Sequence, residues 1–580
     1  MNIRILLFAI AAFCFHSNLS AQPNTAKPDN SFTEEDWNKL SQHQKDSINK
    51  QLFEKYKEGT ETVQKTEEAE VNRILDEALK NVSGTTKLAF TSFPKIQLSN
   101  DLTKFKNLEE FTCLRCKSLD LNTLFDQLAQ LPKLKKLNLP GGEYKTMPNS
   151  IKKLKVLEEI NLKDNNFTTL PDSFSLLKKL RVLNLEHNAY LYDDDVYDRI
   201  QFLNVEELNF SASGLSELNN KIGNLKSLKQ LDISVNDIKT FPPSFNQLIH
   251  LQKLNLNKNL NMDLVPVITA LAQIPTITEL NAQECSIGNL PLDISKLTNL
   301  KILNLKGNRL TTLPINFGSL TNLEYLDLGY FEMGSRMNKI ADLGPTFGQL
   351  KKLKYLNLAG NALQVVPDLS AMSELEELNL SLNKLPGFPQ SITQLKKLRS
   401  LDLSLNDMAS IPSGISNLTA VETLHLDGNF FNHPDKKIKT LPNEICQLQN
   451  LKVLTLKDNV IEQLPDCIGS LSKLEKLDLR DNLLTVFPPS FTQLKNLKSL
   501  DLKANDITQL PDDFTNLGSL KDLNLSMNLK MSFDTEKPKF VKMQQLTVLD
   551  LGYNNIPKDQ IVALRNAMPN CKVINYDYKK

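Results

Sequence analysis

With one tryptophan, six histidines and seven cysteines in 580 residues, this chain has little from which to build several familiar kinds of site. Seven cysteines are too few for a disulfide scaffold of this length. The histidines are scattered, so a metal centre on His425 and His433 is a poor reading of them. Charge of one sign is missing too. The 68 basic and 67 acidic side chains leave a net charge of +1, which gives no basis for a nucleic-acid binder or a polybasic membrane binder. No GxxxxGK[ST], HExxH, GxSxG or kinase signature set occurs, and no cofactor or metal is expected.

Long hydrophobic runs are also lacking. The first residues, MNIRILLFAIAAFCFHSNLSAQ, place Arg4 before an apolar run from Ile5 to Phe15 and a small-residue exit at Ser20 and Ala21. This pattern predicts a cleaved signal peptide over 1–21, because the run is well short of the ~20 residues a bilayer-spanning helix needs. Cys14 is a weaker candidate for lipid anchoring, since Phe13 stands where a small residue would be expected. Membrane insertion is not expected, and the mature chain is expected to be secreted or to reside in the periplasm or cell envelope.

Residues 22–84 are polar and charged and hold the single tryptophan, Trp37. Two helices are expected there, the second with Val71, Ile74, Leu75 and Leu79 at three- and four-residue steps. The segment reads as a charged helical spacer or loose cap and lacks the sustained heptads of a coiled coil. Residues 85–107 read as an N-terminal capping region.

What the chain does have is a repeat. LEKLDLRDNLLTVFPPSFTQLKN, from Leu474, is followed at once by LKSLDLKANDITQLPDDFTNLGS on the same apolar skeleton. The pattern L-x-x-L-x-L-x-x-N starts nineteen times between Leu108 and Leu546, with steps of 23 residues in eleven of eighteen cases, 22, 25 or 26 in five, and 30 in two. So short a unit cannot bury enough surface to stand alone, and stacked copies share their faces. Positions are numbered below from the first leucine of each repeat. The leucines at positions four and six alternate with polar residues at the strand period, so Leu477 and Leu479 face inward and Asp478 outward. Position nine is asparagine in fourteen repeats, among them Asn165, Asn308, Asn406, Asn482 and Asn505. An amide that donates and accepts can satisfy buried backbone groups of adjacent coils.

Read in LKVLTLKDNVIEQLPDCIGSLSK and LKILNLKGNRLTTLPINFGSLTN, this motif closely resembles the leucine-rich repeat family, in its 23-residue class with an LP step, here of exported bacterial type. The resemblance covers about Phe105 to Asp577 and implies an α/β solenoid: a curved right-handed coil with a parallel β-sheet on its concave face. Repeats are expected over 108–556. The final residues, 557–580, resemble the helix-plus-strand closing cap of such proteins.

Cys113 replaces an inward leucine and Cys116 a turn asparagine, and Cys285 sits at that same turn position, so a core role is expected for all three. No second CxxC completes a zinc site. Cys446 and Cys467 fall at near-equivalent places in adjacent repeats, which leaves bridged and free states both open.

Partner contacts are expected in outward residues and irregular repeats. Position five is Asn in ten repeats and Asp in six, with Thr112, His425 and Thr455 as exceptions, and reads as generic polar facing. Its acidic members Asp402, Asp478 and Asp501, with Asp427 one column over, suit a basic partner, although Arg399, Lys457, Arg480 and Lys503 mix the field. Position three places Ile302, Tyr325 and Tyr355 on successive repeats. Tyr330, Leu382 and Leu405 share the turn column beside them, and Phe331 stands where asparagine is expected. Clustered exposed apolar groups are typical of binding hot spots; the blander account is tyrosine's preference for strands. The two 30-residue repeats flank this patch, so a partner site is expected over repeats nine to fourteen, including His425. The acidic stretch from Tyr190 to Ile200 reads as a solvated loop.

The favoured functional reading is an exported non-catalytic module whose concave face binds a protein or a surface polysaccharide. The alternative is a surface adhesin or structural envelope component resembling internalin-like proteins, although no cell-wall sorting motif precedes Lys580. Ubiquitin-ligase and kinase relatives carry a separate catalytic domain, for which no unassigned stretch is long enough. Intracellular Ras-binding scaffolds of the same class are disfavoured by the leader.

Overall fold

The computed structural model describes residues 70–93, 98–191, 193–330, 337–428 and 434–576. The expected leader, most of the 22–84 segment, Phe331 and His433 lie outside the described residues. Described residues form one parallel sheet of 21 strands. A helix over residues 70–79, α1, precedes it, with Val71 and Leu75 buried and Ile74 and Leu79 packed against the same core.

Strand β1 (Lys87–Thr91) pairs with β2 (Glu110–Leu114), and each later strand pairs in register with the next, to β20 (Val548–Asp550) and β21 (Lys572–Ile574). From the third strand onward each is three residues long, positions three to five of its repeat, with the position-four residue buried. Those used below are β10 (Ile302–Asn304), β11 (Tyr325–Asp327), β12 (Tyr355–Asn357), β13 (Glu377–Asn379), β14 (Ser400–Asp402), β15 (Thr423–His425), β16 (Val453–Thr455), β17 (Lys476–Asp478) and β18 (Ser499–Asp501). Such short strands are held because the apolar alternation fixes their register: a one-residue slip would turn every leucine to solvent.

Repeat length has a structural cause. A 23-residue repeat returns through a 3₁₀ turn such as Asp172–Leu176 or Pro243–Gln247. The repeats of 25 or 26 residues carry an α-helix in its place: α2 (Leu121–Leu128), α3 (Asp193–Ile200), α4 (Leu264–Leu271) and α5 (Phe533–Lys542). An α-helix rises ~1.5 Å per residue against ~2.0 Å in the tighter turn, so spanning the same gap takes more residues. The stretch read as a solvated loop over 190–200 is therefore largely helix α3, with Val196, Tyr197 and Ile200 buried. A last helix, α6 (Lys558–Ala567), precedes β21.

The asparagine column behaves as its chemistry requires. Asn482 Nδ2 donates to the carbonyls of Leu456 (2.9 Å), Leu479 (2.9 Å) and Arg480 (3.2 Å), while its Oδ1 accepts the N–H of Ile461 at 3.0 Å. In repeat ten, where Phe331 falls at position nine, Asn338 takes the place of the missing amide. It donates to Leu328 and Leu305 carbonyls at 2.8 and 3.2 Å and accepts from Leu310 N–H at 2.9 Å. The ladder amide of repeat ten thus comes seven residues later in the sequence than position nine.

Position eight holds a feature with no sequence signature. It is left-handed in seventeen repeats, fourteen of them without glycine, for example Asp481 (φ 54°), Ala504 (φ 52°) and Met527 (φ 60°). Such a residue costs roughly 1–2 kcal/mol. It persists because the ladder continues through it, as in Asp481 N–H to the Lys503 carbonyl at 2.8 Å.

Cys113, Cys116 and Cys285 are buried, as a core role requires. Cys113 and Cys116 are also bonded to each other, a link the core reading did not include. Cys446 and Cys467 are disulfide-bonded across adjacent repeats.

Candidate functional site

The face of the sheet that the described residues leave uncovered is made of outward side chains from positions three, five and seven. At position five a short acceptor is required: its oxygen takes the backbone N–H two residues on. Lys163 N–H reaches Asn161 Oδ1 at 3.1 Å, Ser234 N–H reaches Asp232 at 2.9 Å and Lys503 N–H reaches Asp501 at 3.0 Å. Asn and Asp do this equally well, which explains why they interchange, and the column is more than generic polar facing. At β16, Thr455 cannot fill the role, and Lys457 N–H turns instead to Asp427 Oδ1 of the preceding repeat at 2.9 Å. Thr455 Oγ1 then pairs with His425 Nδ1 at 2.9 Å. Burial pushes the carboxyls of Asp327, Asp427, Asp478 and Asp501 above the usual carboxylate range.

A second column lies at position two, on the flank where the chain enters each strand. It alternates in sign through Glu109, Lys135, Glu158, Arg181, Glu206 and Lys229, and again through Lys301, Glu324, Lys354, Glu376, Arg399, Glu422, Lys452, Glu475 and Lys498. Members of successive repeats pair: Arg181 Nη2 and Lys229 Nζ sit 2.8 and 2.9 Å from Glu206, and Lys354 Nζ sits 2.7 Å from Glu324. The hydrogen bonds from Arg181 and then Lys229 hold the Glu206 carboxyl down at about 2. Lys354 likewise lowers Glu324, and Lys452 with Arg399 lowers Glu422. This alternation was visible in the sequence every 23 or so residues and was overlooked in favour of the outward columns.

The expected partner residues divide into three groups. Ile302, Tyr325 and Tyr355 pair in register across β10, β11 and β12, and the two tyrosine rings stack with centroids 4.4 Å apart and planes 4° from parallel. They are half-buried, not the freely exposed groups the hot-spot expectation supposed. Burial also raises both phenols, with the Asp327 carboxylate adding to the effect. Tyr330, Leu382 and Leu405 lie in the turn column, half-buried, with Leu382 and Leu405 in left-handed backbone. Gly360, at φ +69°, admits the Tyr330 backbone: a Cβ there would sit 2.0 Å from the Tyr330 carbonyl oxygen. Asp402 and His425 are register partners on β14 and β15, two strands beyond the tyrosines. Glu377, the partner of Tyr355 on β13, is exposed and was not singled out from sequence.

Comparison with known proteins agrees with this geometry. Leucine-rich repeat models match residues 431–575 (leucine-rich repeat region), 132–189 (leucine rich repeat) and 298–347 (leucine rich repeats, 2 copies). The solved leucine-rich-repeat protein of Leptospira interrogans is 26% identical, with a TM-score of 0.53 over 86% of this chain and 98% of that one. The ectodomain of the Arabidopsis thaliana receptor kinase GASSHO1/SCHENGEN3, solved with CASPARIAN STRIP INTEGRITY FACTOR 2, shares the fold at 22% identity. Its TM-score is 0.52, over 83% of this chain and 62% of that one. A probable serine/threonine-protein kinase of Dictyostelium discoideum is 33% identical over 163 residues, which is 27% of this chain and 5% of the kinase. This chain thus spans about a twentieth of that relative's length. The matched stretches fall early, midway and late in the array, the strand register runs unbroken between them, and the chain belongs to the leucine-rich-repeat family.

Proposed function

We propose that the protein is an exported, non-catalytic binding module that takes a protein partner on the strand-lined face, over repeats nine to fourteen. One observation carries this reading: the sheet presents outward side chains from 21 parallel strands, and the position-three residue of every repeat is half-buried or exposed. At ~4.8 Å per strand the face runs to roughly 100 Å, a scale suited to a macromolecule and not to a small substrate. Export rests on Arg4, the Ile5–Phe15 run and the Ser20–Ala21 exit. Among the described residues no helix is long and apolar enough to cross a membrane. The organisation proposed with it is a leader over 1–21, a charged helical segment over 22–84, caps over 85–107 and 557–580, and repeats between them.

Two measurements test the proposal. Expression of the full chain in a secreting bacterial host should yield a product outside the cytoplasm whose mass begins at Gln22; an intact Met1 in the cytoplasm rejects export. Tyr325→Ala with Tyr355→Ala should weaken binding to cross-linked extracellular partners by at least tenfold, the scale of a hot spot. Unchanged affinity removes this stretch of the face.

A further inference from the structure

The stacked tyrosines allow the partner's chemistry to be narrowed, on the reading that the sheet's open face is the binding surface. Adjacent strands lie ~4.8 Å apart, and the two rings are 4.4 Å apart and parallel, so their normals run from strand to strand. Their inner faces are spent on each other. The outer face of Tyr325 turns toward its register partner Ile302, and that of Tyr355 toward Glu377. Neither ring presents its face outward from the sheet, which is what a sugar ring needs for stacking. The reachable aromatic surface is the Tyr355 face beside Glu377, where a ring's negative face and a carboxylate lie next to each other. That pairing suits a cation.

The surroundings agree. Positions three, five and seven of the repeats carrying β11 to β14 contain Asp327, Glu377 and Asp402 and no lysine or arginine. Their position-seven residues, Gly329, Ala359, Ser381 and Ser404, are small and leave room above the floor. Lysine at that position appears only outside this window, at Lys163 and Lys306 before it and at Lys457 and Lys503 after it. Glu377 has no ion-pair partner among the described residues, unlike the flank carboxylates Glu158, Glu206, Glu324, Glu422 and Glu475. We infer that the slot between Tyr355 and Glu377 receives an arginine or lysine side chain from an extended segment of a partner protein, laid on the Tyr355 ring and paired with Glu377, with Asp402 next along the segment's path.

The test uses the full chain and a phage-displayed library of random twelve-residue peptides, retaining binders lost on the Tyr325→Ala/Tyr355→Ala variant. The expected binders carry arginine or lysine, and their synthetic versions weaken at least tenfold when that arginine is replaced by neutral citrulline. Glu377→Gln and Tyr355→Leu should each weaken them roughly fivefold or more, while Tyr355→Phe, which keeps the ring face, should not. Face-dependent binders without basic residues, or binders indifferent to Glu377→Gln, overturn the cation slot and leave the protein-binding reading standing. Absence of any face-dependent peptide overturns both. Tyr355-dependent retardation by dextran in affinity electrophoresis overturns both as well, in favour of a polysaccharide.

Discussion

The flank and the floor of one sheet use the same charged residues to opposite ends. On the flank, Glu206 stands between Arg181 and Lys229, and Glu324 beside Lys354, so each charge meets its opposite within the chain. On the floor between β11 and β14, Glu377 and Asp402 form no ion pair among the described residues, while the buried Asp327 feels only the more distant Lys306. Where a repeat array can satisfy a column internally it has built architecture. Where the period offers the same opportunity and the column stays uncompensated, the charge is available to something else.

The asparagine column marks the upper end of this comparison, because its polar groups are both internally matched and buried. Asn482→Ala leaves the N–H of Ile461 without its acceptor and takes one of two amide donors from the carbonyls of Leu456 and Leu479, which keep Asn459 and Asn505. At about 1–3 kcal/mol for the one buried group left unsatisfied, the loss should fall in that range, read as a lowered denaturation midpoint in urea. A change under about 1 kcal/mol would mean that water replaces the amide and that the ladder is not what fastens adjacent coils.

The floor should respond in the other direction. Asp501 lies under the cost of burial, and its Oδ1 accepts the Lys503 N–H at 3.0 Å, a role Asn304 performs for Lys306 at the same distance. Asp501→Asn keeps the acceptor and removes the charge, so stability at pH 7 should rise by up to about 1 kcal/mol. The sign follows from linkage. A carboxyl whose folded pKa is raised costs stability when ionised, and the cost fades as pH falls through the folded value toward the unfolded one near 3.9. The variant's advantage should therefore be largest near neutrality and vanish below about pH 4. A destabilised variant would show that the carboxylate serves the fold and is not left for a partner.

How much of this was legible beforehand depends on which interactions repeat. The strand register was readable because Leu477 and its equivalents must all face inward, and a slip would expose every one. The tyrosine pair was readable as a neighbour relation, since Tyr325 and Tyr355 share one position of successive repeats. Their half-burial and edge-outward stacking were not, because they depend on side-chain torsions that the period does not fix. Repeat lengths of 25 and 26 encode α2 to α5 but do not announce them, because exchange of a 3₁₀ turn for a helix leaves the leucine pattern intact. Asn338 was hidden by its seven-residue displacement from the expected place. The left-handed turn at position eight was hidden because residues as unlike as Asp481, Ala504 and Met527 occupy it, held there by the backbone ladder and not by their own preference.

The smallest expected effect lies on the flank and gives the sharpest test of the contrast, since it is a matter of sign. Glu206→Gln removes the charge that Arg181 and Lys229 share. Because these are surface pairs, the loss at pH 7 should stay below about 1 kcal/mol and shrink further in high salt. The Glu206 carboxyl is held down to about 2, below its unfolded value, so its contribution is fully present above the unfolded pKa near 4.3 and fades as pH falls through about 2. The urea midpoints of wild type and Glu206→Gln should thus differ most at neutral pH and converge near pH 2, with wild type the more stable. For Asp501→Asn the midpoints also converge on acidification, but the variant is the more stable at pH 7. If both pairs of curves showed the same sign at neutrality, flank and floor would be electrostatically alike, and unmatched charge on the floor would no longer distinguish a binding surface from a scaffold.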